Sequence, residues 1–380
     1  MAQFELVTAE ERFDALAGEW SALFRQSGGA LQFFQDWTWV SEWWRQVASA
    51  GRASLAIVVA RQEGNAVLIW PWVVGRRAGM RLLQPTGGLL SCFDDALVAK
   101  HVDRQAMLEQ AWAYLLRSVR CDAVELRAVH TGANIAALLH VNGGEPIDTT
   151  QAPAIELGDH ANFDAYLASR SKKMRQNQRR SHKALGALGE VRGDGDDRKM
   201  PVELAIDRCL EFKMEWLSAR GLSGKTVVTE EARRFLKRVA RTYRESRDGP
   251  ALCVSSVWLD DRPVSIGIGF RYDNCHFEYL GGFDYRLEQI GPGRVRMEEG
   301  IRACFAQGVR SYNMLTPQTA FKRIWTPGGP TVSHYIVATS VRGRIYRDLF
   351  VRRLRPRLKR AYNALPPRLR QRLTGFRIWG

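Results

Sequence analysis

Ala251–Leu259 (ALCVSSVWL), Pro263–Phe270 (PVSIGIGF) and Cys275–Leu280 (CHFEYL) are three short apolar, β-rich runs. The turn formers Asp260-Asp261 and Arg271–Asn274 (RYDN) separate them, which predicts a meander of three strands. Gly281-Gly282-Phe283-Asp284-Tyr285 follows, then Gln289-Ile290-Gly291-Pro292-Gly293-Arg294. A helical period begins at once, with Val295, Ile301, Cys304 and Phe305 on one face and Gly308 as its stop. A further strand follows and ends at Leu315.

A helix that starts from Gly-Pro-Gly exposes free backbone N–H groups at the positive end of its dipole. Such an end receives phosphate or pyrophosphate; the simpler reading is a tight turn. Gly291, Pro292, Gly293 and Arg294 are therefore the expected binding residues for a phosphate-bearing group. On the third strand His276 and Glu278 lie two residues apart and face one side, with Tyr279 on the other. A carboxylate there is a candidate proton acceptor, and a surface-facing polar pair is the plainer alternative. Asp284 and Tyr285, between strand and turn, are candidates to orient an acceptor, against simple loop capping by Asp.

The order strand–strand–strand–(Gly-Pro-Gly)–helix–strand resembles the Gcn5-related N-acetyltransferase (GNAT) superfamily. Within it, GGFDYRLEQIGPG (281–293) and RSYNMLTPQTAFKRIW (310–325) resemble the acetyltransferase family associated with bacterial cellulose and exopolysaccharide synthesis, itself similar to the FemAB-like transferases. Lys322 and Trp325 match that family's motif; Asn313 stands where the motif has Asp. The resemblance implies an α+β, mixed-sheet chain of two tandem GNAT-like domains. These are an N-terminal one over 1–150 and one carrying the acyl-donor site over 151–344; a basic tail over 345–380 follows them. It implies acetyl-CoA or another acyl-CoA as co-substrate, no metal, and an amine or hydroxyl acceptor on a small molecule, sugar or polysaccharide precursor. Lys322 joins Glu278, Asp284 and Tyr285 as an implied site residue. A thioester is already activated, so such an enzyme mainly aligns the acceptor and stabilises an oxyanion with backbone N–H groups. The absence of a Ser-His-Asp or Cys-His arrangement does not count against it.

Lys plus Arg number 56 against 40 Asp plus Glu, a net charge of +16 over 380 residues. That suits a polyanionic partner: a CoA-type phosphate, RNA, anionic lipid or acidic glycan. Between Ile345 and Gly380 there are eleven Lys or Arg and one acid, Asp348. Leu349, Phe350, Leu354, Leu358, Tyr362, Leu365, Leu369 and Leu373 lie among them, with Pro356, Pro366 and Pro367 expected to break the segment into short helices. Basic amphipathic pieces suggest peripheral contact with the inner membrane or with a membrane-bound synthase; the plainer reading is a tail packed on its own domain or free in solution. No apolar run reaches the ~18 residues of a membrane span, and the acidic N-terminus does not read as a signal peptide; the expectation is a cytoplasmic protein. Six cysteines without Cys-x-x-Cys spacing read as reduced thiols. The seven histidines never pair at metal-ligand spacing.

In the first half, Thr8 and Glu11 predict a capping box opening a helix over 8–26. Asp36–Val47 is a second helix bearing Trp37, Trp39, Trp43 and Trp44, expected in the core. Ser54–Ala60 and Ala66–Val73 are strands, Ala96–Ala99 a short strand, Val102–Val119 a helix, Ala123–Arg127 a strand and Gly132–Val141 a helix. This is a faded echo of the later pattern. Residues 142–154 mark the boundary. Phe163–Leu188 predicts one helix with seven cations (Arg170, Lys172, Lys173, Arg175, Arg179, Arg180, Lys183) and no acid among them. Val202–Ala219 and Glu230–Tyr243 are amphipathic helices. Ala219–Thr226 (ARGLSGKT) nearly matches a nucleotide-triphosphate loop, but it starts with Ala and follows a helix. Two other readings stand beside the acyl-CoA enzyme. One is an aminoacyl-tRNA-dependent transferase using the basic helix. The other is a non-catalytic polysaccharide-assembly protein on a degenerate version of the fold.

Overall fold

The computed structural model describes residues 2–48, 51, 53–77, 79–142, 144–221 and 228–364. In chain order the first half contains β1 (Gln3–Val7), α1 (Glu10–Ala15), α2 (Ala17–Ser27), α3 (Trp37–Trp43), β2 (Ser54–Leu55), β3 (Ile57–Gln62), β4 (Asn65–Trp70), β5 (Trp72–Arg77), β6 (Met80–Pro85), β7 (Leu97–Val98), α4 (Arg104–Ser118), β8 (Ala123–His130), α5 (Ala136–Asn142) and β9 (Asp148–Gln151). Next come β10 (Ala154–Glu156), α6 (Phe163–Ser169), α7 (Lys172–Gly186), β11 (Val191–Asp194), α8 (Val202–Ala219), α9 (Glu230–Glu245), β12 (Ala251–Leu259), β13 (Arg262–Tyr272), β14 (Cys275–Phe283), α10 (Pro292–Ala306), β15 (Ser311–Asn313) and α11 (Lys322–Trp325). The chain closes with β16 (Thr331–Ala338), α12 (Val341–Ile345), a π-wound stretch (Tyr346–Leu354) and α13 (Arg355–Ala364). The class is mixed α+β, as expected.

Two units partition the chain. Among the described residues the first holds 2–150 and 331–364, the second 151–330. The first unit has a four-stranded sheet, β1-β3-β4-β7, and a six-stranded one, β2-β5-β6-β8-β16-β9. Its tryptophans are packing residues: Trp20 and Trp39 are fully buried and Trp43 and Trp44 nearly so, and Trp20 and Trp37 meet edge-on at 5.4 Å. The capping box does not form. Ala9 caps α1 without a side-chain bond, and the expected 8–26 helix is broken at Leu16 into α1 and α2.

The second unit is one sheet, β10-β15-β14-β13-β12-β11. The meander β12–β13–β14 is antiparallel throughout. Gly281 faces Arg296 of α10, and Gly282 faces Cys209 and Phe212 of α8. Neighbouring strand residues point to opposite faces, so α8 and α10 cover the two sides of the sheet. The expected helix over 163–188 is two. Arg170 ends α6, and the Ser171 hydroxyl accepts the Met174 N–H to start α7.

The expected second domain, 151–344, meets a different arrangement past residue 330. Thr331–Ala338 runs antiparallel to β8 in the first unit. The two units share a path: β6–α4–β8 places β8 parallel to β6, as β14–α10–β15 places β15 parallel to β14. In the second unit the strand beyond β15 is β10, which precedes it in the chain; in the first, the strand beyond β8 is β16, which follows the whole second unit. A largely apolar strand fits beside the last strand of either unit's β–α–β path. Only long-range pairing decides between them, and local sequence does not encode it.

Candidate functional site

β15 pairs with β14 over three residues only: Cys275 with Ser311, His276 with Tyr312, and Phe277 with Asn313. β14 then continues to Phe283 while β15 stops. Among the described residues no further strand pairs with the edge of β14 from Glu278 to Phe283. Every second residue there turns its backbone N–H and C=O away from β13, into the opening. The chain leaves the open strand, makes one turn of 3₁₀-helix at Tyr285–Leu287, and enters α10 through Gly291.

Gly291 has φ +86° and Pro292 is the first helical residue, a pre-set helix start. The positive φ explains glycine at 291. Gly293 is half-buried, and a Cβ there would lie 3.4 Å from Phe283, an ordinary contact. Its glycine therefore leaves a small vacancy at the helix start rather than avoiding a clash. The Arg294 guanidinium folds back over Gly291, and its Nε donates to Ser181 Oγ of α7 at 3.3 Å. Gln178 donates to the Arg294 carbonyl (3.1 Å) and to Glu298 (2.7 Å). The N-terminal end of α10 is thus framed by α7, whose buried stripe is Met174, Gln178, Ser181 and Leu185. Lys172, Lys173, Arg179, Arg180 and Lys183 stay exposed. Glu298 also meets His182 and Arg302. Its hydrogen bond and charge hold the His182 imidazolium above its ordinary range, against partial burial.

Beneath α10 lies a buried polar network. Arg296 reaches toward the sheet, its Nη2 2.7 Å from Glu278 Oε1 and its Nη1 donating to Ser255 Oγ at 2.8 Å. The Tyr312 hydroxyl donates to Glu278 Oε2 at 2.7 Å, and the His276 ring stacks on that of Tyr312 at 4.5 Å. Arg296 fits only because Gly267 is opposite: a Cβ there would sit 1.9 Å from Nη1. Burial alone would raise the Glu278 carboxyl, but Arg296, His276 and Tyr312 outweigh it and hold it down to about 2. A proton acceptor works best with a pKa near the operating pH. Glu278 is instead a fixed carboxylate with both oxygens engaged.

The other expected site residues are placed as follows. Asp284 is buried, caps the Arg286 N–H and pairs with Arg286 and Arg262; this is the loop-capping arrangement. Tyr285 is exposed on the adjoining turn. Lys322 Nζ donates to the carbonyls of Leu315 (2.9 Å) and Pro317 (3.0 Å), so it braces the loop after β15. Asn313 Oδ1 accepts the Leu315 N–H at 2.8 Å, a bond an Asp would make equally well. Glu278 and the Gly291–Arg294 turn lie at opposite ends of the open β14 segment. Sequence reading missed Arg296, Tyr312 and Ser255. The signal was present in the glycines of PVSIGIGF (263–270), which mark where a helix-borne side chain approaches the sheet. Among the described residues no cluster of His, Cys, Asp and Glu is arranged to hold a metal. Cys209, Cys253, Cys275 and Cys304 are buried free thiols, with Cys209 and Cys253 pushed up to about 12 by burial. The near-match at 219–226 follows α8, and its residues 222–226 lie outside the described residues.

Residues 172–323, from the start of α7 to α11, match the family model of an acetyltransferase (GNAT) domain. The chain therefore carries a GNAT domain in its second unit. Among solved structures, that of FemX superposes with a TM-score of 0.58 at 12% identity, over 91% of this chain and 99% of FemX. A tandem GNAT protein from the clavulanic acid biosynthesis pathway gives a TM-score of 0.49 at 12% identity, over 90% of this chain and 99% of that one. No curated protein matches the chain. At such identity the FemX likeness speaks for the fold, and it extends over both units.

Proposed function

We propose that this protein is an acyl-CoA-dependent acyltransferase with its donor site in the second unit. One observation carries the reading. The parallel strands β14 and β15 part after Phe277 and Asn313, and the strand left open leads through Gly291-Pro292-Gly293 into the N-terminus of α10. The Gly293 amide, the α10 dipole and Arg294 would hold the diphosphate of CoA. The open backbone of Glu278–Phe283 would align the pantetheine arm and donate to the thioester carbonyl as it becomes an oxyanion. Because the carbonyl is already activated, the remaining task is alignment of an amine or hydroxyl.

The residues proposed from sequence fall into two groups under this reading. Gly291, Pro292, Gly293 and Arg294 keep the donor role. Glu278, Asp284 and Lys322 become positioning residues: Glu278 braces β14 against α10, Asp284 the turn between them and Lys322 the loop beyond β15. Tyr285, an exposed side chain on that turn, stands apart from both groups as the candidate to meet an acceptor. The acetyl group as the acyl unit, and a sugar or exopolysaccharide precursor as acceptor, rest on the resemblance alone.

Release of free CoA thiol from acetyl-CoA, measured over a panel of amines, amino sugars and polyols, tests the proposal. The expected result is acceptor-dependent release by one class. Release no faster than spontaneous hydrolysis with every acceptor would favour the non-catalytic reading. The aminoacyl-tRNA reading draws support from five exposed cations on α7. It would require tRNA binding that weakens steeply with salt.

A further inference from the structure

We infer that the helix closing the first unit, residues 341–364, is a docking surface for an anionic lipid bilayer. α12, the π-wound stretch Tyr346–Leu354 and α13 follow one another without a break. They make a single rod of about 35 Å. One side is anchored: Gly343, Tyr346 and Val351 are buried, and Tyr346, Val351 and Phe350 pack with Leu82, Ala123 and Ile336 of the first unit's sheet.

The other side carries an apolar line that nothing covers among the described residues. Val341, Ile345, Leu349, Leu354 and Leu358 are between 37% and 63% exposed. The steps between them are four, four, five and four residues. The first and last four-residue steps are each about one α-turn, while the step from Ile345 to Leu349 and the five-residue step to Leu354 run through the π-wound stretch, whose turn is longer than an α-turn. The change of winding thus keeps the five side chains on one line, where a uniform α-helix would drift. Pro356, expected to break the segment, stands two residues past the return to α winding, and the helix continues through it.

Cations flank the line. Residues 341–364 contain nine Lys or Arg and one acid, Asp348, which pairs with Arg347 and Arg352. Arg342, Arg344, Arg353, Arg357 and Arg360 are exposed. An apolar line has no use on a phosphodiester backbone, and a basic rim has none on a neutral membrane. The two together fit a bilayer of anionic headgroups, with the aliphatic chains entering the interface and the arginines at phosphate level. Residues 365–380, outside the described part, continue the composition with Arg368, Arg370, Arg372 and Arg377 beside Leu369, Leu373, Phe376 and Trp379. No helix of the described residues is long and apolar enough to cross a membrane, so the contact would lie in the interface plane.

The test is flotation of the full chain with vesicles of mixed phosphatidylglycerol and phosphatidylcholine, against phosphatidylcholine alone. The parent should float only with the anionic vesicles, and less as salt rises. Ile345→Glu/Leu349→Glu should abolish flotation. Arg352→Glu/Arg353→Glu, which leaves the apolar line intact, should weaken it by about tenfold or more. Circular dichroism should show both variants folded, since all four side chains are exposed; if the apolar variant unfolds, the arginine variant decides. Equal flotation of parent and variants, or flotation indifferent to lipid charge, would overturn the inference. So would a parent that forms a dimer which the apolar variant dissociates, because the line would then be a contact between two copies.

Discussion

Gly293→Glu should abolish acetyl-CoA binding while the protein stays folded. The position accepts a side chain: its Cβ would meet Phe283 at an ordinary 3.4 Å, and an acid in the first turn of a helix is favourable to the dipole. Stability should therefore change little. What changes is the ligand's end of the helix. The new carboxylate would take the amide and dipole that a diphosphate needs, and add a like charge beside it. Calorimetric titration should show a loss of at least about a hundredfold, near 2.8 kcal/mol. Gly293→Ala, which adds bulk without charge, should lose far less. Unchanged affinity in the Glu variant would move the donor site elsewhere.

Glu278→Ala should cost about 3–5 kcal/mol of stability, because it strands the Arg296 guanidinium under α10 without a counter-charge. Arg296 is buried, with Ser255 as its remaining hydrogen-bond partner. Removing both charges, in Glu278→Ala/Arg296→Met, should recover a large part of the loss. The pH dependence has a definite sign. The folded-state pKa is depressed from 4.5 to about 2, so the carboxylate's contribution is full above about 4.5 and is lost as pH falls toward 2. In Glu278→Gln that part of the acid sensitivity should disappear from denaturation curves. If Glu278 were the proton acceptor instead, Glu278→Gln would lose turnover at unchanged stability; that result would contradict the bracing role.

The meander, the helix after Gly-Pro-Gly and the basic helix were legible because each is a local pattern: alternating apolar residues, turn formers, a 3.6-residue period. Three things were not legible. The 163–188 helix breaks at Arg170, where only Ser171 hinted at a new cap. The swap of β10 and β16 between sheets depends on pairings far apart in sequence. The bracing network is tertiary as well: Glu278, Arg296 and Tyr312 come from a strand, a helix and the next strand, and Ser255 from a fourth element. Their one local trace was the Gly267 and Gly281 positions that make room for Arg296. The same limit explains why Glu278 read as a base. Its neighbour His276 is visible in sequence, while the arginine that fixes its charge is not.

The claim on which the rest depends is that the open edge of β14 and the start of α10 together receive the acyl donor. Amide hydrogen–deuterium exchange, with and without acetyl-CoA, tests it most directly. The account predicts protection in peptides covering Glu278–Phe283 and Gly293–Arg296, with the first unit's β8 unchanged. Protection confined to other segments, or none under saturating acetyl-CoA, would contradict it.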